Sequence, residues 1–136
     1  MEIRQKIITF LMFNGKAEEA MDFYISLFED SGIINITRYG EEDVVNVGKV
    51  MYAAFKLNGQ EFMCIDSIVN HNFTFSPAIS LFINCDSAAE IDRLFNLLSE
   101  KGKVYMPLSS YQSTEKFGWV EDRFGVSWQL NLDNLK

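Results

Sequence analysis

The spacing of hydrophobic positions changes period along the chain, and the same order of changes occurs twice. Ile7 to Phe13 is apolar at nearly every position and reads as a strand. Its two faces are assigned as Ile8, Phe10 and Met12 on one side and Thr9, Leu11 and Phe13 on the other. Asn14-Gly15 ends it, and Ala17 to Phe28 turns helical, with Ala20, Phe23, Tyr24, Leu27 and Phe28 recurring three and four residues apart. Glu18, Glu19 and Asp22 lie toward the helix start, where the macrodipole favours negative charge, and Gly32 is the predicted stop. Ile33 to Tyr39 predicts a second strand and Val50 to Leu57 a third. Asn58-Gly59 predicts a tight hairpin into a fourth strand, Gln60 to Ile65. The acidic stretch from Gly40 to Gly48 is a long loop that could serve as a lid or be simply solvated.

After a connector, Asp66 to Pro77, the pattern restarts. Ala78 to Cys85 alternates as a strand, with Ile79, Leu81 and Ile83 on one side and Ala78, Ser80 and Phe82 on the other. Ser87 and Glu90 have capping-box spacing, and Ile91, Leu94, Phe95 and Leu98 form the apolar stripe of a helix running to about Lys101. Gly102 stops it, Lys103 to Met106 is a short strand, and Pro107 to Lys116 is a polar loop. A closing hairpin follows: Phe117 to Glu121, a turn at Asp122-Arg-Phe-Gly125, then Val126 to Leu132. Sliding the chain by seventy positions lays Asn14 on Asn84, Asp22 on Asp92 and Leu27 on Leu97, and pairs Met21 with Ile91 and Tyr24 with Leu94. The expected organisation is one domain over 1–136: module one at 6–66, a connector at 67–77 and module two at 78–132.

Composition bounds the function. The chain has 136 residues, 48% of them hydrophobic and 12 of them Phe, enough for a real core. Its net charge of −7 argues against nucleic acid or an anionic membrane as partner. No stretch reaches the ~18 apolar residues of a membrane span, and the N-terminus lacks a leader pattern, so a cytoplasmic protein is expected. The isolated Cys64 and Cys85 fit buried small hydrophobes.

Alternation divides the strands between a helix-covered face and a concave one. Ile8, Phe10, Met12, Phe62, Cys64, Ile79, Leu81, Trp128, Leu130 and Leu132 are assigned beneath the helices. Thr9, Leu11, Phe13, Met63, Ile65, Ser80, Phe82, Ser127, Gln129 and Asn131 are assigned to the concave face. The second set is apolar with a few polar groups, as small-molecule pockets are, although bulky side chains could equally fill the space. Phe73 and Phe75 either close the mouth of that cavity or pin the connector. Trp119 is either a stacking surface there or a packed hairpin aromatic. The single histidine, His71, sits in the polar connector and reads as solvated rather than as a general base.

Two βαβββ modules in about 130 residues resemble the vicinal oxygen chelate superfamily of glyoxalases, extradiol dioxygenases and bleomycin-resistance proteins. Ile8-Thr-Phe-Leu-Met-Phe13, Ala17-Glu-Glu-Ala-Met-Asp-Phe-Tyr24, Leu57-Asn-Gly-Gln-Glu-Phe62, Ala78-Ile-Ser-Leu81 and Gly118-Trp-Val-Glu-Asp-Arg-Phe-Gly-Val-Ser-Trp-Gln129 resemble its PhnB-like subfamily, often labelled 3-demethylubiquinone-9 3-methyltransferase. The resemblance implies an α+β fold of two tandem modules, with curved mixed sheets around a cavity, and a homodimer. In metal-dependent members His or Glu from four strands hold one divalent ion. The matching positions here are Thr9, Met63, Ala78 and Gln129, none a good ligand, so no metal and no cofactor are expected. The chain also has no glycine-rich nucleotide turn, so its residues do not support the methyltransferase label. Three readings stay open: a metal-free binder of a small organic molecule, an enzyme with a non-standard site, and a dimeric scaffold with a filled interior.

Overall fold

The structure, a computed structural model, describes residues 5–111 and 114–133. The first unit, Met1–Asn70, runs β1 (Thr9–Phe13), α1 (Ala17–Leu27), β2 (Gly32–Arg38), β3 (Val50–Leu57), β4 (Gln60–Asp66). The second, His71–Lys136, runs β5 (Ser80–Asn84), α2 (Ala88–Ser99), β6 (Lys103–Tyr111), β7 (Thr114–Glu121), β8 (Ser127–Asp133). Each unit holds one four-stranded mixed sheet, ordered β1-β4-β3-β2 and β5-β8-β7-β6. In both, the first strand pairs parallel with the last and the other pairs are antiparallel. The fold is α+β, with one topology used twice. The break between Asn70 and His71 falls inside the expected connector.

Local chemistry explains most boundaries. Asn58 and Gly59 take φ of 48° and 82°, the paired positive angles of a tight primed hairpin. Ser87 Oγ accepts the Glu90 N–H at 3.1 Å, while Glu90 Oε1 accepts the Asp86 N–H at 2.7 Å, so the expected cap forms with its return bond one residue earlier. Gly32 does not stop α1: Asp30 takes the positive φ of 52°, and Gly32 already belongs to β2. The predicted loop from Pro107 to Lys116 is mostly strand, since β6 extends to Tyr111 and β7 begins at Thr114. The β6–β7 register is irregular and β6 is an edge strand, where proline is tolerated, which is why alternation failed to mark it. The acidic segment from Gly40 to Gly48 is a folded excursion rather than a loose flap. Tyr39 and Lys49 close its base, with turn bonds at Asp43 and Asn46 inside.

The faces of β1 are the reverse of those expected. Leu11 stands opposite Cys64 and Phe13 opposite Asp66, and all four are buried. Asp66 Oδ1 accepts the N–H groups of Gly15 and Ala17, both at 2.9 Å, so this is the face that α1 covers. Phe10 and Met12 lie on the other face beside Met63 and Ile65, and Phe10 is 53% exposed. An unbroken apolar run carries no phase, so the sequence of β1 could not reveal which alternate set was buried. In the second sheet the assignment holds: Leu81, Ile83, Trp128, Leu130 and Leu132 share the face of α2, which Lys116 ties to Asp92 at 2.7 Å. Ile79 does not join them; β5 starts one residue later, and Ile79 is 80% exposed.

Each unit has a buried carboxylate satisfied by the chain itself. Asp66 accepts Gly15, Ala17 and Val50 N–H groups, the last at 3.0 Å. Asp122 accepts the N–H groups of Phe124 and Val126 at 2.8 and 3.0 Å, and the Trp128 indole at 2.8 Å. Asp122→Ala leaves these three donors buried, and a loss of about 3 kcal/mol or more is expected in urea unfolding, against a near-neutral effect for the exposed Asp86→Ala.

Cys64 and Cys85 are free and buried. Burial, with Asp66 adding at the first and Glu90 at the second, pushes both thiols from 9.0 up to about 12. The folded state thus holds protons that the unfolded chain releases. This contribution to stability is whole below pH 9 and lost as pH rises toward 12. Across that window the urea midpoint should fall more steeply for the wild type than for the Cys64→Ala/Cys85→Ala variant.

Candidate ligand-binding site

The second sheet turns an unusual mixture of side chains away from α2. Register places Ser80 beside Ser127, Phe82 beside Gln129 and Asn84 beside Asn131. Across β7–β8, Glu121 pairs with Ser127, Trp119 with Gln129 and Phe117 with Asn131. Alternation puts all of these on one face, because Gly118, between Phe117 and Trp119, faces α2: a Cβ there would lie 2.6 Å from Phe95 of that helix.

The polar members are bonded in series. Trp119 Nε1 donates to Ser127 Oγ at 2.8 Å, Ser127 Oγ lies 2.6 Å from Ser80 Oγ, and Gln129 Nε2 donates to Ser80 Oγ at 3.3 Å. Thr114 Oγ1 donates to Asn131 Oδ1 at 2.6 Å, and Asn131 Nδ2 reaches Asp133 at 2.8 Å. At the other end Tyr105 OH donates to Glu121 at 2.6 Å, a bond that raises the phenol above its ordinary pKa. The Tyr105 and Trp119 rings lie 5.0 Å apart, with Lys103 Nζ 5.3 Å above Tyr105. Phe82 is 55% exposed beside this chain. The result is a floor of hydroxyl and amide groups with aromatic walls, flanked by the Glu121 carboxylate at one end and Asp133 at the other.

The predicted site residues divide accordingly. Ser80, Phe82, Gln129, Asn131 and Trp119 come together on this face, with Ser127. Met63 and Ile65 lie on the corresponding face of the first sheet, but with Phe10 and Met12, whereas Thr9, Leu11 and Phe13 lie on the α1 face. Phe75 sits against the β7–β8 turn, its ring 3.5 Å from where a Cβ on Gly125 would be. Phe73 is exposed and stacks on His71 at 4.6 Å. Sequence reasoning missed Tyr105 and Glu121; the irregular β6–β7 register hid the first, and the second was read only as the last residue of a strand.

The sequence model described as 3-demethylubiquinone-9 3-methyltransferase matches residues 5–131, nearly the whole chain. The chain belongs to this family. A PhnB protein from Bacillus cereus, described under the same methyltransferase title, is 59% identical with a TM-score of 0.91, over 94% of this chain and 99% of that one. Escherichia coli YjdN is 26% identical over 83 residues, which are 61% of this chain and 56% of YjdN, so the match spans little more than half of that curated relative. A glyoxalase/bleomycin-resistance/dioxygenase domain from Frankia shares the fold at 11% identity, with a TM-score of 0.67 over 98% of this chain and 95% of that one. The family is thus PhnB-like, and it shares its fold with the glyoxalase/bleomycin-resistance/dioxygenase domain.

Neither the divalent metal of metal-dependent proteins with this fold nor the family's titular chemistry suits the residues present. A divalent ion there asks for imidazole and carboxylate. The open strand faces carry Phe10, Met12, Met63 and Ile65 in the first sheet and Ser80, Phe82 and Gln129 in the second, with one carboxylate on each, Glu61 and Glu121, that already accepts from the Gln5 N–H and the Tyr105 hydroxyl respectively. Thr9, expected at a ligand position, lies on the α1 face opposite Phe62, and Ala78 precedes β5. Among the described residues no three His, Cys, Asp or Glu side chains come together. A nucleoside cofactor in an α/β protein sits where a strand opens into a helix N-terminus. In this family member, Asp66 takes the α1 N-terminal N–H groups, and Ser87 and Glu90 fill the start of α2. Among the described residues, no helix is long and apolar enough to cross a membrane.

Ser127 links the two walls of the site. Ser127→Ala strips the Trp119 indole of its acceptor, so a loss of about 1–3 kcal/mol is expected in chemical unfolding, with a shifted Trp119 emission; unchanged stability and emission would show that the serine chain does not hold the indole.

Proposed function

We propose that this chain is a metal-independent binding protein for a small, flat, uncharged organic molecule, seated on the open face of the second sheet. The observation that carries this reading is the series Trp119–Ser127–Ser80–Gln129 beside the exposed Phe82: neutral donors and acceptors under aromatic surface, the make-up of a small-molecule site. Glu121, the carboxylate on this face, already accepts from Tyr105, which favours binding over general-base work. The net charge of −7 disfavours an anionic ligand.

A second reading is a homodimer scaffold. Val44, Val45 and Ile79 are each at least 80% exposed, which favours self-association, and light scattering of purified protein decides the oligomeric state.

The binding reading is tested by elemental analysis of protein purified without chelator, alongside thermal melts with Mn²⁺, Ni²⁺, Zn²⁺ and a set of uncharged aromatic compounds. The expected outcome is substoichiometric metal, unmoved melts with the ions, and stabilisation by some aromatics that approaches about 2.7 kcal/mol near a hundredfold excess over Kd. One bound metal per chain, with a melt raised by the same ion, overturns the reading.

A further inference from the structure

We infer that the ligand carries a hydrogen-bond acceptor, a carbonyl oxygen or ring nitrogen, at the edge that meets Ser80; this rests on the binding reading above. The proton order of the serine chain carries the inference. Ser127 is 2% exposed, and its Oγ accepts from the Trp119 indole. A buried hydroxyl proton needs an acceptor, and the one that Ser127 reaches is Ser80 Oγ at 2.6 Å. Ser127 therefore donates to Ser80.

Ser80 Oγ also receives Gln129 Nε2 at 3.3 Å, so both of its lone pairs are taken. Its own proton must leave the chain, and half-buried Ser80 lies next to exposed Phe82 on the open face. Turning the Gln129 amide over changes only the identity of the outward donor. Ser80 would then give its proton to Gln129 Oε1, and the amide N–H groups would face out. In both arrangements the floor presents an N–H or O–H to whatever lies on it. A flat ring system stacked on Phe82 and Trp119 with an acceptor at its edge completes the bond, whereas one with only a donor there leaves the outward donor without its acceptor.

Quinoline and indole make the test. Both are flat, bicyclic and uncharged at neutral pH, but the first only accepts through its nitrogen and the second only donates. Dissociation constants come from the shift of the Trp119 indole N–H resonance in ¹⁵N-labelled protein, assigned with Trp119→Phe. Quinoline is expected to bind about tenfold more tightly than indole, with Ser80→Ala erasing the preference where Ser80 is the outward donor, Ser80→Ala/Gln129→Leu erasing it in either arrangement, and Ser80→Thr keeping it. Equal binding of the two, or tighter binding of indole, overturns the inference and leaves the binding reading standing. Binding of neither overturns the reading and the inference with it. The comparison on wild-type protein stands even if Ser80→Ala fails to fold.

Discussion

The arrangement depends on two carboxylates taken out of water. Desolvating a carboxylate is costly unless hydrogen bonds replace its hydration. Asp66 and Asp122 each meet that cost with three N–H donors, and in doing so fix chain geometry that apolar packing alone leaves loose. Asp66 joins the end of β4 to the entry of α1 and the start of β3. Asp122 holds the β7–β8 turn and clamps the Trp128 indole beneath α2. Fixing Trp128 on one face of β8 sends its neighbours Ser127 and Gln129 to the other, so the site is a consequence of the clamp.

The same device distinguishes the chain from what its relatives' names and fold suggest. The helix N-terminus that in α/β proteins receives a phosphate or nucleoside receives Asp66 in the first unit of this α+β chain and a capping box in the second. The positions matched to metal ligands carry Thr9, Met63, Ala78 and Gln129, of which Thr9 lies on the α1 face and Ala78 precedes β5. What is left on the open face of the second sheet is mostly neutral, hydroxyls, amides and rings, with the Glu121 carboxylate bonded to Tyr105. In the proposed binding role, such groups recognise shape and hydrogen-bond polarity rather than charge.

Much of this was legible in the residues. The repeat, both helices, the Asn58-Gly59 hairpin and the polar alternation of β8 follow from period and turn chemistry, because Ser127, Gln129 and Asn131 interrupt the apolar positions and so mark the phase. β1 is apolar after Thr9, whose exposed position at the strand start misleads; its phase is set by Asp66, fifty-seven positions after Thr9 in the chain, a contact that periodicity cannot see. Tyr105 was hidden for a related reason. The register of β6 with β7 slips three times, so the strand shows no clean alternation, and its role appears only through the bond to Glu121.

The most direct test of the account is a crystal structure of the protein with an uncharged aromatic compound that raises its melting temperature. The account predicts the ring stacked on Phe82 and Trp119 with its polar edge at Ser80 and Gln129. A ligand bound elsewhere with that face empty, or a second copy of the chain covering Phe82 and Trp119, would contradict it.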